Sequence, residues 1–358
     1  MEIQNRKFGL DLLRSIAILL VFFGHGAFIY FKAHPNWYNF YIIDGVDVFF
    51  VLSGFLIGYI YIKNLNKPDF SARTLLNFLL KRWIRTIPNY LWILTVITIL
   101  SFWGNIPFEK EKISWQHFLF IQNLISPHPK FFPEAWSLAV EEWFYLIFPI
   151  GTFIMININN KNVRQGILLC IIVMIIIPIL YKYYKSFQFD PIGANYDRYF
   201  RKIVIARLDS LALGVLAAFV KYYYRKLFEK YKYIYLMIGI SGIILLREFP
   251  AGQYNLVIGS FLLSLFIFFT IPWFDSLNKS PKYIGSIVYQ ISLTSYSLYL
   301  IHFSLILIPI QNYIDIKSKS ETTIGYIIYL LIAPTLAHFN YKYFEKPILR
   351  WRDKTLHE

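Results

Sequence analysis

The sequence predicts an all-α integral membrane protein, a bundle of about ten transmembrane helices. Three observations carry that expectation. The 358 residues are 57% hydrophobic and 16% charged, whereas soluble domains average about 25% charged. Apolar runs of about 18 to 22 residues, long enough to cross a hydrocarbon core of about 30 Å, recur along the chain. The 28 tyrosines and 34 phenylalanines supply the rings that line both faces of a bilayer. The runs fall near 9–31, 43–62, 84–103, 136–157, 166–184, 203–223, 232–247, 254–273, 288–312 and 323–343.

The first run, LDLLRSIAILLVFFGHGAFIY, follows Arg6 and Lys7 and so resembles a secretory signal. Its length and the Arg14 embedded in its apolar centre argue that it is retained. Arg14 and His25 are eleven residues apart. At about 100° per residue that is roughly three turns, so both side chains share one face, with a rise of about 16 Å between them. Ionisable groups in a spanning helix face a cavity or the bundle interior. Snorkelling of Arg14 and packing of His25 form the structural alternative.

The second run opens DGVDVFFVLSGFLIG. Asp44 and Asp47 sit at its start, where carboxylates cap helices or contact substrate. Gly54 and Gly58 form a small-xxx-small pair that admits a neighbouring helix. KRWIRTIPNY places Arg82 and Arg85 three apart at the start of the third run, on one face. Two guanidinium forks suit a polyphosphorylated ligand, and lipid headgroups are the competing partners.

In WSLAVEEWFYLIFP, Glu141 and Glu142 point about 100° apart, so at least one meets a cavity or a cation. Ser137 and Tyr145 fall on Glu141's face. A carboxylate beside a histidine can orient it as a base; an ion pair with Arg14 or Arg207 is the structural alternative. Cys170, the single cysteine, lies in an apolar run and reads as packing. Arg207 and Asp209 open the sixth run, and His302 enters the ninth among Ser and Tyr hydroxyls. Glu345, Pro347 and Arg350 end the tenth.

The formal charge of +15 lies in short connections with no continuous patch, which argues against nucleic acid as a partner. No Walker loop, serine elbow, zinc pair or Rossmann glycine pattern occurs, and no metal is expected. With ten spans, the termini and even-numbered loops hold about 22 Lys+Arg against about 12 opposite, so both termini are expected to be cytoplasmic. Arg14 then lies toward the cytoplasm and His25 toward the outer half. One transmembrane domain over 1–358, with a helical core of about 8–345 and no appended soluble domain, is expected.

Read in order, LDLLRSIAILLVFFGH, DVFFVLSGFLI, KRWIRTIPNY, WSLAVEEWFYLIFP, RLDSLALG, YSLYLIH and FEKPILR resemble the type 3 membrane acyltransferase family, which O-acetylates surface polysaccharides. The resemblance covers about residues 10 to 350. It implies a multi-pass protein of the cytoplasmic (inner) membrane that uses acetyl-CoA or another acyl-CoA and acylates a carbohydrate hydroxyl near the outer face. The family's arginine–x10–histidine pattern falls on Arg14 and His25, and its R-x-x-R on Arg82 and Arg85. Two departures stand out: Leu12 replaces the glycine many members carry, and Ser304 replaces a common proline two residues after His302.

The implied scheme docks acyl-CoA phosphates near Arg82 and Arg85, runs the pantetheine arm past Arg14, and uses His25 either as base on the acceptor hydroxyl or as a transient carrier of the acetyl group. Glu141 or Glu142 orients that base, while Asp44, Asp47, Ser137, Arg207, Asp209 and His302 contact the acceptor. A transporter or flippase for a lipid-linked glycan or acyl donor is the alternative. A sensor or scaffold is a weaker third reading. Homo-oligomerisation and the identity of the acceptor stay open.

Overall fold

The structure, a computed structural model, describes residues 6–31, 44–68, 70–104, 106–108, 113–158, 162–191, 194–248, 253–313 and 319–356. Thirteen helices make up the described chain: α1 (Phe8–Phe31), α2 (Gly45–Leu65), α3 (Ala72–Phe102), α4 (Ala135–Ile158), α5 (Val163–Ser186), α6 (Leu208–Tyr223), α7 (Arg225–Lys230), α8 (Lys232–Glu248), α9 (Gln253–Ser276), α10 (Lys282–Ile301), α11 (Ile308–Tyr313), α12 (Lys319–Asn340) and α13 (Lys346–Thr355). No strand occurs among the described residues. Each of the ten expected spans meets a helix; Ile43, the first residue of the second, lies outside the described residues.

Eight segments are long and apolar enough to cross a membrane, judged by length and composition. The two short ones are α6, of 16 residues, and α8, of 17. At 1.5 Å per residue they reach only about 25 Å. α6 is short because residues 202–207 are irregular, which puts Arg207 at its N-cap rather than inside a span. The opposite departure is α3. Its 31 residues reach about 46 Å, so Arg82 and Arg85 sit in its third and fourth turns and not at its start.

α2 and α6 pack backbone to backbone, and glycine permits it. A Cβ on Gly54 would lie 2.0 Å from the Leu211 carbonyl oxygen, and one on Gly214 would lie 2.1 Å from that of Val51. Gly58, the other half of the expected pair, faces Val215. α1 packs along α10 and α2, α8 along α9, and α12 along α10. Tyr61, Tyr90, Phe50, Phe144 and Phe148 fill the core between them.

Buried ion pairs and hydrogen bonds fasten this frame. Arg207 binds Asp47, whose carboxylate also accepts from Ser264 at 3.2 Å. Lys182 binds Asp209 at 2.7 Å and Ser260 at 3.3 Å. Glu345 accepts from Ser297 at 2.6 Å and Asn89 at 3.2 Å, tying the turn between α12 and α13 to α10 and α3. Such groups are sustained in an apolar bundle only by partners of this kind.

Candidate functional site

A cavity enclosing about 830 Å³ of empty space, its mouth included, lies between α1, α2, α3, α4 and α10. Arg14, Ser53, Arg82, Arg85, Glu141 and Tyr145 line it. The helical spacings explain the convergence. Arg82 and Arg85 share a face, and so do Ser137, Glu141 and Tyr145 at intervals of four. Among the described residues neither Arg82 nor Arg85 forms an ion pair, so the cavity holds two uncommitted guanidinium groups. Arg14 is 3.4 Å from Asp11 and 3.3 Å from the Ser292 hydroxyl. Glu141 accepts from the Tyr145 hydroxyl at 2.8 Å, and Ser53 in turn donates to Tyr145 at 2.8 Å. The cationic excess suits an anion carrying several phosphates.

At its far end the cavity meets Ser137 and Tyr299. Tyr299 donates to the Glu134 carbonyl at 3.1 Å, and Ser137 donates to the Tyr299 oxygen at 2.6 Å. Beyond Tyr299, with ring centroids 5.8 Å apart, lies His302, and beyond His302 lies His25. The two imidazoles are 2.7 Å apart between His25 Nδ1 and His302 Nε2.

The hydrogen bonds assign the protons of this pair. His302 Nδ1 is 2.9 Å from the Leu298 carbonyl and 2.8 Å from that of Tyr299. Carbonyls only accept, so Nδ1 carries the proton and Nε2 holds a lone pair. His25 Nδ1 therefore donates to it, and the neutral His25 ring has its lone pair on Nε2. The backbone sets the position of His302. Residues His302–Leu307 form a π-helical turn, a wider coil that often marks functional sites. Ser304 donates through its backbone N–H at 3.0 Å and its hydroxyl at 2.6 Å to the two oxygens of Glu134. Burial outweighs these bonds and raises the Glu134 carboxyl to about 7.

Of the residues singled out in the sequence, Arg14, Arg82, Arg85, Ser137 and Glu141 meet in one cavity. Glu142 is buried beside them, with Oε2 lacking a hydrogen-bond partner among the described residues. His25 meets His302 at the other end of the same helices. Asp44, Asp47, Arg207 and Asp209 are drawn instead into ion pairs. Asp44 caps α2 through the Val46 N–H at 3.0 Å and binds Arg201 at 2.5 and 2.8 Å. Burial alone would raise the Asp44 carboxyl, but Arg201 holds it below its ordinary value. Sequence reasoning missed Tyr299, Ser53, Glu134 and Arg201. Tyr299 and Ser53 stand in quoted motifs, yet a single tyrosine or serine carries no spacing signal, and Glu134 flanks α4 outside any of them.

A family profile described as acyltransferase domain matches residues 7–338. The chain is similar to O-acetyltransferase OatA of Staphylococcus aureus (strain NCTC 8325 / PS 47), 27% identical over 369 residues, covering 95% of this chain and 57% of that protein. OatA of Staphylococcus aureus (strain COL) matches with the same identity and coverage. The chain thus spans less than three-fifths of the length of these relatives. No solved structure matches it. With the profile spanning nearly the whole helical bundle and the cavity built from its motifs, the chain belongs to the acyltransferase-domain family of membrane proteins.

Proposed function

We propose that the chain transfers an acetyl group from acetyl-CoA to a carbohydrate hydroxyl, with both termini in the cytoplasm and His25 toward the outer face. The observation that carries this reading is the line of groups from the Arg82–Arg85 cavity past Tyr299 to the His302–His25 pair. Eight or ten crossings are both even, so the termini fall on one side under either count, and the basic bias of the loops supports the cytoplasmic side.

In this reading Arg82 and Arg85 bind the donor's phosphates, and Arg14 flanks the path of the pantetheine arm. The separation of about 16 Å from Arg14 to His25 matches the scale of that arm. His302 fixes the tautomer of His25. His25 Nε2 takes the proton from the acceptor hydroxyl as its oxygen attacks the thioester carbonyl carbon. The carbon–sulfur bond then breaks, the thiolate leaves, and the imidazolium returns the proton to sulfur. Glu141 and Glu142 sit among the arginines of the donor cavity and balance their charge there. Asp44, Asp47, Arg207 and Asp209 act as the frame that holds α2 and α6 beside the site.

The test is acetyl incorporation into surface glycan in cells carrying His25→Ala. Loss of incorporation at normal protein abundance is the expected result, and wild-type incorporation would sink the assignment. Purified protein that leaves acetyl-CoA intact while moving a lipid-linked glycan across vesicles would instead support translocation without chemistry.

A further inference from the structure

The arginine cavity has an apolar end. α2 turns one face into it, with Val46, Phe49, Ser53 and Leu56 recurring at intervals of three and four residues. Ser53 reaches the Tyr145–Glu141 pair, and Phe49, one turn earlier, reaches Tyr299. The Phe49 end is therefore the end nearest the histidine pair.

Phe49 and Tyr299 meet edge to face, with ring centroids 6.4 Å apart. Tyr299 is held in place from both sides, donating to the Glu134 carbonyl and accepting from Ser137. Val46, Leu138 and Tyr299 are 3%, 6% and 6% exposed. The neighbouring ring of Phe50 is 1% exposed and packs edge-on against Trp136. Phe49 is half-buried and lines the cavity, so its ring is the surface which that end presents.

Charge sets a second condition. Among the described residues no charged side chain lines this end. Two cations stand behind the wall, Arg201 over Trp136 and Arg207 over Phe50, with Cζ 5.0 and 5.6 Å from the ring centroids. Both are committed, to Asp44 and Asp47. Along α4 the lining continues from Ser137 to Glu141, one turn on, which is itself acidic. A carboxylate brought to the Phe49 end is buried without a cation, which is strongly unfavourable.

We propose that Phe49 is a specificity residue that limits the transferred acyl group to a short, uncharged one. With the donor's phosphates at Arg82 and Arg85, the thioester lies deepest in the cavity and the acyl carbons meet the Phe49 ring. An acetyl group ends there. Each further methylene has to displace the ring, and overpacking of that kind weakens binding by about tenfold. The inference rests on the acyl-CoA reading and deepens it, because it assigns the side chain that separates acetyl from longer and from acidic donors.

Calorimetry on the purified full chain in detergent tests this with inert ketone analogues, in which a methylene separates sulfur from the carbonyl. The probes are S-acetonyl-CoA, S-(2-oxopentyl)-CoA and S-(4-carboxy-2-oxobutyl)-CoA, which stand for acetyl, butyryl and succinyl donors. The wild-type chain is expected to bind the acetonyl probe about tenfold tighter than the oxopentyl probe, with the carboxylate probe weaker still. Phe49→Ala is expected to bring the oxopentyl probe level with the acetonyl probe and to leave the carboxylate probe weak. Phe49→Leu, the milder change, should fall between, and affinity ratios taken on one sample do not depend on how much of it is folded. Equal wild-type binding of the acetonyl and oxopentyl probes overturns the proposal, and so does a ratio unchanged in both variants. A carboxylate probe that binds the wild type as tightly as the acetonyl probe overturns the exclusion of acidic donors. These readouts need no turnover. If no CoA compound binds the wild type, the donor reading falls and takes the proposal with it. If all three bind alike while His25→Ala abolishes acetyl incorporation, Phe49 loses its role and the enzyme reading stands.

Discussion

Replacing Lys182 by methionine separates a framing role for Asp209 from a role in binding substrate. Lys182 and Asp209 are 1% and 0% exposed, and their charges meet at 2.7 Å. The aspartate's other oxygen accepts from the Ser210 N–H at 2.9 Å. Removing the lysine leaves a buried carboxylate with no cation, a change that costs about 3–5 kcal/mol. Taking about 2 °C per kcal/mol for a chain of this size, the melting temperature in detergent should fall by about 6–10 °C. The double variant Lys182→Met with Asp209→Leu removes both charges and fills the space with apolar atoms, which restores most of the loss or exceeds it. Melting is read by intrinsic tryptophan fluorescence and acetyl transfer is read on the same samples. A double variant that melts like wild type and still transfers acetyl makes Asp209 part of the frame. An unchanged melting point in the single variant refutes the energetic argument. A stable double variant without activity refutes the assignment of Asp209 to the frame.

Gly54→Ala drives a Cβ to 2.0 Å from the Leu211 carbonyl and should cost about 3 kcal/mol or more, whereas Gly58→Ala, 3.1 Å from Val215 Cα, should cost less; comparative melting checks the order. His302→Leu removes the acceptor for His25 Nδ1–H and should lower kcat by about 10²–10⁴-fold with KM for acetyl-CoA unchanged. His302→Gln, which keeps an acceptor oxygen, should regain part of that rate, and equal kcat in the two variants would deny the positioning role. Burial raises Glu134 to about 7 from an ordinary 4.5, so the folded protein holds this proton more tightly than the unfolded chain. Stability from Glu134 is thus full below about pH 4.5 and is lost as pH rises to about 7, by about 3 kcal/mol at most. Glu134→Gln should flatten melting temperature against pH over that window.

Much of the fold was legible because hydrocarbon thickness imposes one length on every span, and ten apolar runs each met a helix. The errors fell where charge interrupts apolarity. The stretch before Leu208 reads as a span by composition, yet residues 202–207 are irregular, Arg207 stands at the N-cap of α6 and its guanidinium turns to Asp47. α3 began earlier than expected because Ser71 caps it through the Thr74 N–H, a signal outside any hydropathy window. For the donor cavity, helical spacing was enough. Arg82 with Arg85 and Ser137 with Glu141 share faces within single helices, and packing needed only to bring two faces together.

The histidine pair was hidden for a different reason. His25 and His302 are 277 residues apart, and no periodicity within one helix can report a contact between α1 and the end of α10. Ser304 compounded this, since the absence of the usual proline two residues after His302 weakens the case for a role of that histidine. The structure gives the physical answer. A proline would break the helix by removing an N–H and clashing with the preceding turn. Ser304 keeps its N–H but turns it out of the helical ladder toward Glu134, and its hydroxyl follows to the second oxygen. Either route withdraws the same donor from the helix and loosens the turn that begins at His302. The serine route adds a titratable carboxyl to the hinge. Because the Ser304 bonds lower Glu134 against the burial that raises it, a Ser304→Pro variant should keep the histidine pair and extend the pH dependence of melting to higher pH, whereas an unchanged pH profile would deny that the two bonds reach the carboxyl.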